Sequence, residues 1–408
     1  MEKKTGGGLF AMEIRAAERL GHLPVYLFDK LDADKAAVQA RGVDVISLGQ
    51  GDPDEGTPPD IIEELARTAI EPANHHYPSF KGMPEYLQAI ADFYRDNFGV
   101  ALEPGPEILS LIGSKSGVGR LPLALVNPGE VILCPDPCYP AYIPGMILAD
   151  ARIQYMPLLE KNQFLPDLTQ IPSKVARRAK LMLLNYPNNP TAAVATQDFL
   201  KEVVQFARKY EIIVAYDAPY NMLVFDDEKP LSFLQIPGAK EIGVEFHSMS
   251  KLFNMTGWRC AWVAGNRNVI DALSRLISNV DMGVFKPIQF AAMKALKNGT
   301  VFIQKMNRLY QERRDAVVNG LKELGWDVKP SRGTFFVWLP VPEKDKESIP
   351  FALELLQKTG VLITPGRGFG EHGEGYLRIA LTVDVDRLRD AVRRIKEAGY
   401  IYNPPQPA

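Results

Sequence analysis

Through the middle of the chain, short apolar runs alternate with amphipathic ones. "EVILCPDP", "AKLMLLNYP", "EIIVAYD", "EIGVEFHS" and "CAWVAGN" are aliphatic or β-branched at successive positions. Such runs predict strands covered on both faces, as in a parallel sheet. Between the second and third lies "TQDFLKEVVQFARKY". There Leu200, Val203, Val204 and Ala207 fall on one helical face, and Thr196 stands where it can cap the first turn. Strand–helix–strand alternation predicts an α/β domain with right-handed crossovers. It spans residues 52–290.

The last third has another rhythm. "MNRLYQERRDAVVNGLKELGW" reads as a helix, "TFFVWLP" and "GYLRIALT" as strands with alternating patterns, and "DVDRLRDAVRRIKEAG" as a closing helix. That is a smaller α+β unit. The front segment "RGVDVISLGQGDPD" is too isolated to fold alone and is expected to join it. The second domain is therefore residues 1–51 with 291–408. The expected fold class is α/β, a large domain with a mostly parallel central sheet flanked by helices, plus the smaller α+β domain.

Composition narrows the function classes. A chain of 408 residues supports two domains. A formal net charge of −2 gives no bulk attraction to nucleic acid or to an anionic membrane. No apolar run approaches the ~18 residues of a membrane span, and the start lacks the apolar core of a signal peptide. Three cysteines, Cys134, Cys138 and Cys260, cannot all pair, and neither they nor the five histidines fit a metal-binding spacing. A reduced, cytoplasmic protein without a metal is expected.

In open α/β sheets, ligands sit beyond the carboxyl ends of the strands. Several polar residues fall there: "GSK" (Gly113 to Lys115) after "ILSLI", Asn189 after "LMLLNYP", Asp217 ending "IIVAY", and Lys251 after "VEFHSMS". A single lysine is ordinarily a solvated surface residue, because burying an ammonium is costly. Just past a buried strand, desolvation would lower its pKa and make the amine a nucleophile, suited to imine formation with an aldehyde cofactor. Asp217 alone would be a cap or turn residue. At a strand end facing a pocket, its carboxylate could hold a proton on a pyridine nitrogen. Tyr220 is either a packed aromatic or a donor to the ring's phenolic oxygen. Ser248, Ser250 and Arg259 together make an anion site, because the guanidinium fork matches phosphate. "GSKSG" adds backbone N–H groups where a helix begins. Arg378, in "GYLRIALT", is either an exposed strand arginine or a bidentate clamp on a substrate carboxylate. "GFGEHG" (Gly368 to Gly373) matches the dinucleotide-binding glycine pattern. It precedes a strand rather than a helix, and no strand leads directly into it, so a Rossmann oxidoreductase is set aside.

The ordered set "NYPNNPT", "YDAPY", "SMSK", "MTGWR" and "YLRIALT" resembles the pyridoxal-phosphate-dependent aminotransferases of class I, fold type I, over nearly the whole chain. Within that group "RLGHLPVYLF", "GSK", "PDPCYPAY", "NNPT" and "NMTGWR" are most similar to LL-diaminopimelate aminotransferases, with alanine-type enzymes next. The resemblance implies that Lys251 carries the cofactor covalently and shuttles the proton. It implies that Ser248, Ser250 and Arg259 hold the phosphate with Ser114 and Lys115, that Tyr139 stacks on the ring, and that Asp217 pairs with its nitrogen. Asn189 and Tyr220 would contact the phenolic oxygen. Arg378 would grip the substrate α-carboxylate beside Gly49. Tyr77 would reach the neighbouring subunit's phosphate and Tyr26 its substrate, which implies a homodimer with shared active sites.

The chain departs from the diaminopimelate pattern at four places. Ser116 follows "GSK" where glutamate is usual, Lys81 precedes Gly82 where glutamate is usual, Ala192 replaces the glycine of "NNPTG", and Met222 stands where glutamate is frequent. Loss of acid and gain of base near a distal ammonium leave the substrate open between diaminopimelate and alanine, aspartate or glutamate. A pyridoxal-phosphate lyase and a non-catalytic cofactor-binding regulator are the competing functions. The regulator is disfavoured by the intact Lys251 and Arg378 and by the lack of a visible helix-turn-helix segment.

Overall fold

A computed structural model of the protein describes residues 14–24, 27–343 and 346–402. Seven strands build the central sheet: β1 (Ile108–Leu111), β2 (Val131–Asp136), β3 (Arg152–Pro157), β4 (Ala179–Asn185), β5 (Ile213–Asp217), β6 (Gly243–Ser248) and β7 (Ala261–Gly265). Their order is β1-β7-β6-β5-β4-β2-β3. Six run in one direction, and β7 opposes both its neighbours. The run "CAWVAGN" is thus a doubly covered strand, as its composition predicts, but an antiparallel one. The connection from β6 is a four-residue helix (Met249–Leu252) and a 3-10 turn (Thr256–Trp258). Neither element crosses the sheet, so the chain returns in the opposite direction.

Period-2 alternation decides which side chains meet which layer. In β4, Leu181 and Leu183 enter one apolar cluster, while Met182 and Leu184 enter the cluster on the opposite face. Helix α1 (Ser114–Leu125), α2 (Tyr142–Leu148) and α3 (Gln197–Tyr210) follow β1, β2 and β4. Leu200, Val203, Val204 and Ala207 of α3 are buried, and Thr196 Oγ1 accepts from Phe199 N at 3.2 Å.

A second sheet contains Thr364–Pro365, β8 (Phe336–Pro340) and β9 (Tyr376–Ala380), paired antiparallel. Here the expected alternation fails. Phe336 to Leu339 and Leu377 to Ala380 are buried on both faces. One face packs on α4 (Thr300–Glu323) and α5 (Val385–Glu397), through Val317, Leu321, Leu388 and Ile395. The other face carries Trp338 and Arg378 toward the central sheet. "GFGEHG" forms 3-10 turns, with the two-residue strand Thr364–Pro365 close before it. Two residues separate that strand from Gly368, and the turns give no dinucleotide-binding helix.

The front segment joins this second cluster. Ile46 and Ser47 pair in parallel with Val361 and Leu362. Arg387 and Arg394 of α5 hold the Asp44 carboxylate at 2.7 and 2.6 Å. Beyond them, Arg313 of α4 is bidentate to Asp54, at 2.6 and 2.8 Å. These ties fix "GQGDPD" between the two sheets. Gly51 lies so close to Phe336 that a Cβ would stand 2.5 Å from the ring.

Close packing of α1 on α2 aims two site elements at once. A Cβ on Gly145 of α2 would meet the Gly119 carbonyl oxygen of α1 at 2.1 Å. Backbone cannot rotate away, so the helices must separate. Gly145→Ala is expected to lower unfolding stability by about 1–3 kcal/mol, read from urea denaturation of the cofactor-free protein. An unchanged midpoint contradicts this packing.

Candidate active site

Between the carboxyl ends of β4, β5 and β6 and the β8–β9 sheet lies a cavity of about 400 Å³. Ser114, Lys115, Tyr139, Asn189, Asp217, Tyr220, Ser248, Ser250, Lys251, Arg259 and Arg378 all line it. Residues separated by up to 264 positions thus converge on one space. Gly49 is not among the lining residues; its carbonyl oxygen lies behind Arg378, accepting from Nη2 at 2.6 Å and from Thr364 Oγ1 at 2.8 Å. Tyr77 lies on the surface, 85% exposed, away from this chain's cavity. Tyr26 lies outside the described residues.

Asp217 ends β5 and is buried. Its Oδ2 accepts from Tyr142 Oη at 2.7 Å, while Oδ1 is buried with no hydrogen-bond partner. Burial pushes the carboxyl up from 3.8 to about 7, and the tyrosine bond opposes the rise. Beside it in register, Asn185 donates Nδ2–H to the Asp217 carbonyl at 2.7 Å and accepts from Asn189 N at 2.7 Å. A buried acceptor with no donor is costly. Oδ1 fits a cationic N–H donor such as a protonated pyridine nitrogen, which would also restore the ionised carboxylate.

Lys251 stands on the helical turn after β6. Its Nζ donates to the Gly51 carbonyl at 2.7 Å and lies 5.5 Å from the Phe335 ring centre. Burial pulls its pKa down to about 8; Arg259 and Arg378 push the same way, and Asp52 opposes them. A sizeable neutral fraction therefore exists near neutral pH, as a nucleophilic amine needs. The solvated-lysine alternative is excluded by this placement.

Ser248 caps the turn, its Oγ accepting from Ser250 N at 3.2 Å. Arg259 has a left-handed backbone (φ 56°) and donates Nη1–H to the Thr256 carbonyl at 2.7 Å. Gly113 (φ 78°) precedes α1, and a Cβ there would stand 2.0 Å from Arg259 Nη2. The glycine lets the guanidinium lie against the start of α1. Two serines, one arginine and the first N–H groups of a twelve-residue helix form an anion cradle.

Arg378 is 1% exposed, not a surface strand residue. Its guanidinium lies 4.1 Å from the Phe336 ring centre and 4.6 Å from that of Phe369. Nη1 donates to Asn189 Oδ1 at 2.7 Å. Because arginine only donates, Asn189 must turn its oxygen to Arg378 and its amide nitrogen elsewhere. Tyr220 is buried edge-on to Phe335 and Phe336, and burial raises its phenol pKa.

Of the four departures, Lys81 is exposed and Met222 packs, partly buried, against the core; neither lines this chain's cavity. Ser116 accepts from Arg120. Ala192 holds φ 56°, a left-handed conformation costing an L-residue roughly 1–2 kcal/mol. Sequence reasoning missed Asp32, Gln50, Gly51, Asp52, Asn185, Thr256 and Phe336 as lining residues, and Tyr142 as the support of Asp217. The strand-end rule that selected Asp217 also selects Asn185. Asp32 carries no sequence signal; Gln50 Nε2 donates to its carboxylate at 3.0 and 3.1 Å.

The raised Asp217 pKa has a linkage consequence. The folded chain binds this proton more tightly than the unfolded chain between pH 3.8 and about 7. The associated stability is full below that window and lost as pH rises through it. Cofactor-free Asp217→Asn should therefore gain in Tm relative to wild type between pH 5 and pH 8, by calorimetry. An equal difference at both pH values contradicts the burial argument.

Comparison with known proteins agrees with this geometry. The family described as aminotransferase class I and II matches residues 43–395. The chain is 51% identical over 385 residues to an LL-diaminopimelate aminotransferase of Desulforudis audaxviator, covering 94% of this chain and 98% of that one. It is 49% identical over 383 residues to the protein of that name from Moorella thermoacetica, with the same coverage. Substrate-bound BacF from Bacillus subtilis superposes with a TM-score of 0.91 at 38% identity, over 97% of this chain and 100% of that one. An anion cradle, a desolvated lysine and a buried carboxylate awaiting a cationic N–H donor, on this fold and with these relatives, place the chain in the class I and II aminotransferases of fold type I, as a pyridoxal-phosphate-dependent transaminase.

Proposed function

We propose that this chain is an LL-diaminopimelate:2-oxoglutarate aminotransferase of lysine biosynthesis. The observation that carries the reading is the 51% identity to an LL-diaminopimelate aminotransferase across 94% of the chain. The cavity wall supports it. A substrate with a distal ammonium needs an acidic or neutral acceptor, since an unpaired buried charge is costly. Asp32 and Asp52 line the cavity of this chain, so the acid absent at positions 81 and 222 has another source. The alanine, aspartate and glutamate alternatives have no comparable feature in their favour.

Pyridoxal phosphate, when bound, supplies an electron sink for the bonds of the substrate α-carbon. The chain's residues do the rest. Ser248, Ser250 and Arg259, with Ser114 and Lys115, hold the phosphate. Asp217 Oδ1 keeps the proton on the ring nitrogen. Tyr139 covers the ring face. Asn189, through its amide nitrogen, and Tyr220, through its hydroxyl, meet the phenolic oxygen. Arg378 clamps the α-carboxylate, its plane fixed between Phe336 and Phe369. Lys251 Nζ, neutral in part near pH 8, holds the cofactor and moves the proton at the α-carbon. Tyr77, exposed on one chain, reaches the phosphate of a second chain in a homodimer. The three cysteines are free and buried, which suits a reduced cytoplasm. Among the described residues no helix is long and apolar enough to cross a membrane.

Two experiments test the reading. Borohydride reduction of the yellow holoprotein should fix the cofactor on the peptide containing Lys251; label on another lysine refutes that role. In a panel with 2-oxoglutarate as acceptor, kcat/KM for LL-diaminopimelate should exceed that for alanine and aspartate by about tenfold or more, as differential recognition of one distal group allows. Faster transfer from alanine or aspartate overturns the substrate.

A further inference from the structure

His247 lies on β6, between the core and the cofactor cradle, and is fully buried. Its ring stacks on Trp262 (4.6 Å between centroids, 7° between planes) and meets the edge of Phe93 at 5.7 Å. Nδ1 accepts the Ser248 backbone N–H at 2.9 Å. Nε2 is 2.5 Å from Asn221 Oδ1. A backbone N–H can only donate, so Nδ1 carries no proton, and a neutral imidazole must then carry it on Nε2. That hydrogen goes to Asn221 Oδ1. The reverse Asn221 orientation would put an N–H against the ring's N–H, so the chemistry fixes both side chains. Burial lowers the imidazole pKa to about 3, which keeps this neutral form throughout the physiological range.

The two bonds tie the end of β6, at the adjacent Ser248, to the connection after β5. Asn221 follows Tyr220 on the connection after β5, and Ser248 opens the turn that carries Ser250 and Lys251. We infer that His247 is a positioning residue: as a neutral ring hydrogen-bonded on both sides, it sets the phosphate cradle at Ser248 in register with the Tyr220 loop. It touches neither substrate nor cofactor. This inference rests on the roles proposed above for Ser248 and Tyr220. Its physical content is that one imidazole serves as acceptor to the backbone at the end of β6 and as donor to the connection after β5. Loss of either bond leaves a buried polar group without a partner, the form of defect that is most costly.

The test separates the two arms. His247→Phe keeps the stack on Trp262 and removes both bonds. His247→Asn keeps an acceptor near the Nδ1 position and removes the reach to Asn221. Asn221→Ala removes the donor arm's partner alone. Cofactor affinity is measured by equilibrium dialysis of pyridoxal phosphate, and turnover at saturating cofactor. His247→Phe should weaken cofactor affinity by about tenfold or more, as a stranded buried N–H implies. His247→Asn should restore affinity to within about threefold but keep a lowered kcat at unchanged KM. Asn221→Ala should lower kcat without weakening cofactor affinity. The pH profile of kcat should keep both limbs in every variant, because His247 transfers no proton. Equal affinity and kcat in His247→Phe and wild type overturn the inference, as does failure of His247→Asn to recover affinity while its cofactor-free Tm matches wild type. If His247→Phe does not fold, the His247→Asn and Asn221→Ala pair decides by the same split. Wild-type protein that binds no pyridoxal phosphate would instead overturn the underlying reading of the cradle.

Discussion

The Asp217 carboxylate at the end of β5, buried with one oxygen on Tyr142 and the other lacking a donor, is the constraint around which this molecule is arranged. A charge in that position is unfavourable by itself, and its pKa rises accordingly. Only a cationic N–H partner, delivered at one place and in one orientation, makes the ionised form favourable. The surrounding elements fix that place. Asn185 ties the adjacent strand to the Asp217 backbone, and the α1–α2 contact at Gly145 and Gly119 sets the approach of Tyr142. The same approach leaves Ser114 and Lys115 at the start of α1 facing Arg259.

Lys251 is the complementary case. Its ammonium is desolvated and lies in the field of Arg259 and Arg378, with Asp52 as the opposing charge. Those cations have the proposed tasks of holding a phosphate and a carboxylate, tasks that would keep them beside the lysine. The fold thus holds a base and an acid away from their ordinary pKa values in one cavity. The resident dipole is the Gly51 carbonyl, brought in by a front segment that Arg313, Arg387 and Arg394 anchor to the smaller sheet. Stability in this region is subordinate to chemistry, in keeping with strained or desolvated groups gathering at functional sites.

The central sheet and α3 were legible in sequence because buried strands are continuous apolar runs and α3 has one apolar face. The direction of β7 was not, since an antiparallel strand covered on both faces has the same composition as a parallel one. Strands β8 and β9 misled in the opposite sense. Their apparent alternation gave way to burial on both faces, because the face opposite α4 and α5 is covered as well: Arg378 lines the cavity, and Trp338 stacks on Tyr376 and meets Phe369 edge-on. For the site, strand ends located Asn189, Asp217 and Lys251. Tyr142 and Asp32 stayed hidden, because a helix residue aimed across a cavity leaves no local pattern. Lys81 and Met222, which depart from the family pattern, left the substrate open, yet neither lines the cavity of this chain.

The proposed role of Asp217 is to keep a proton on the cofactor's ring nitrogen. ¹⁵N NMR of the holoprotein, loaded with pyridoxal phosphate labelled at that nitrogen, reads the proton directly. A pyridinium chemical shift is expected at pH 8 in wild type, moving to the unprotonated position in Asp217→Ala. An unprotonated shift in the wild-type protein would contradict it.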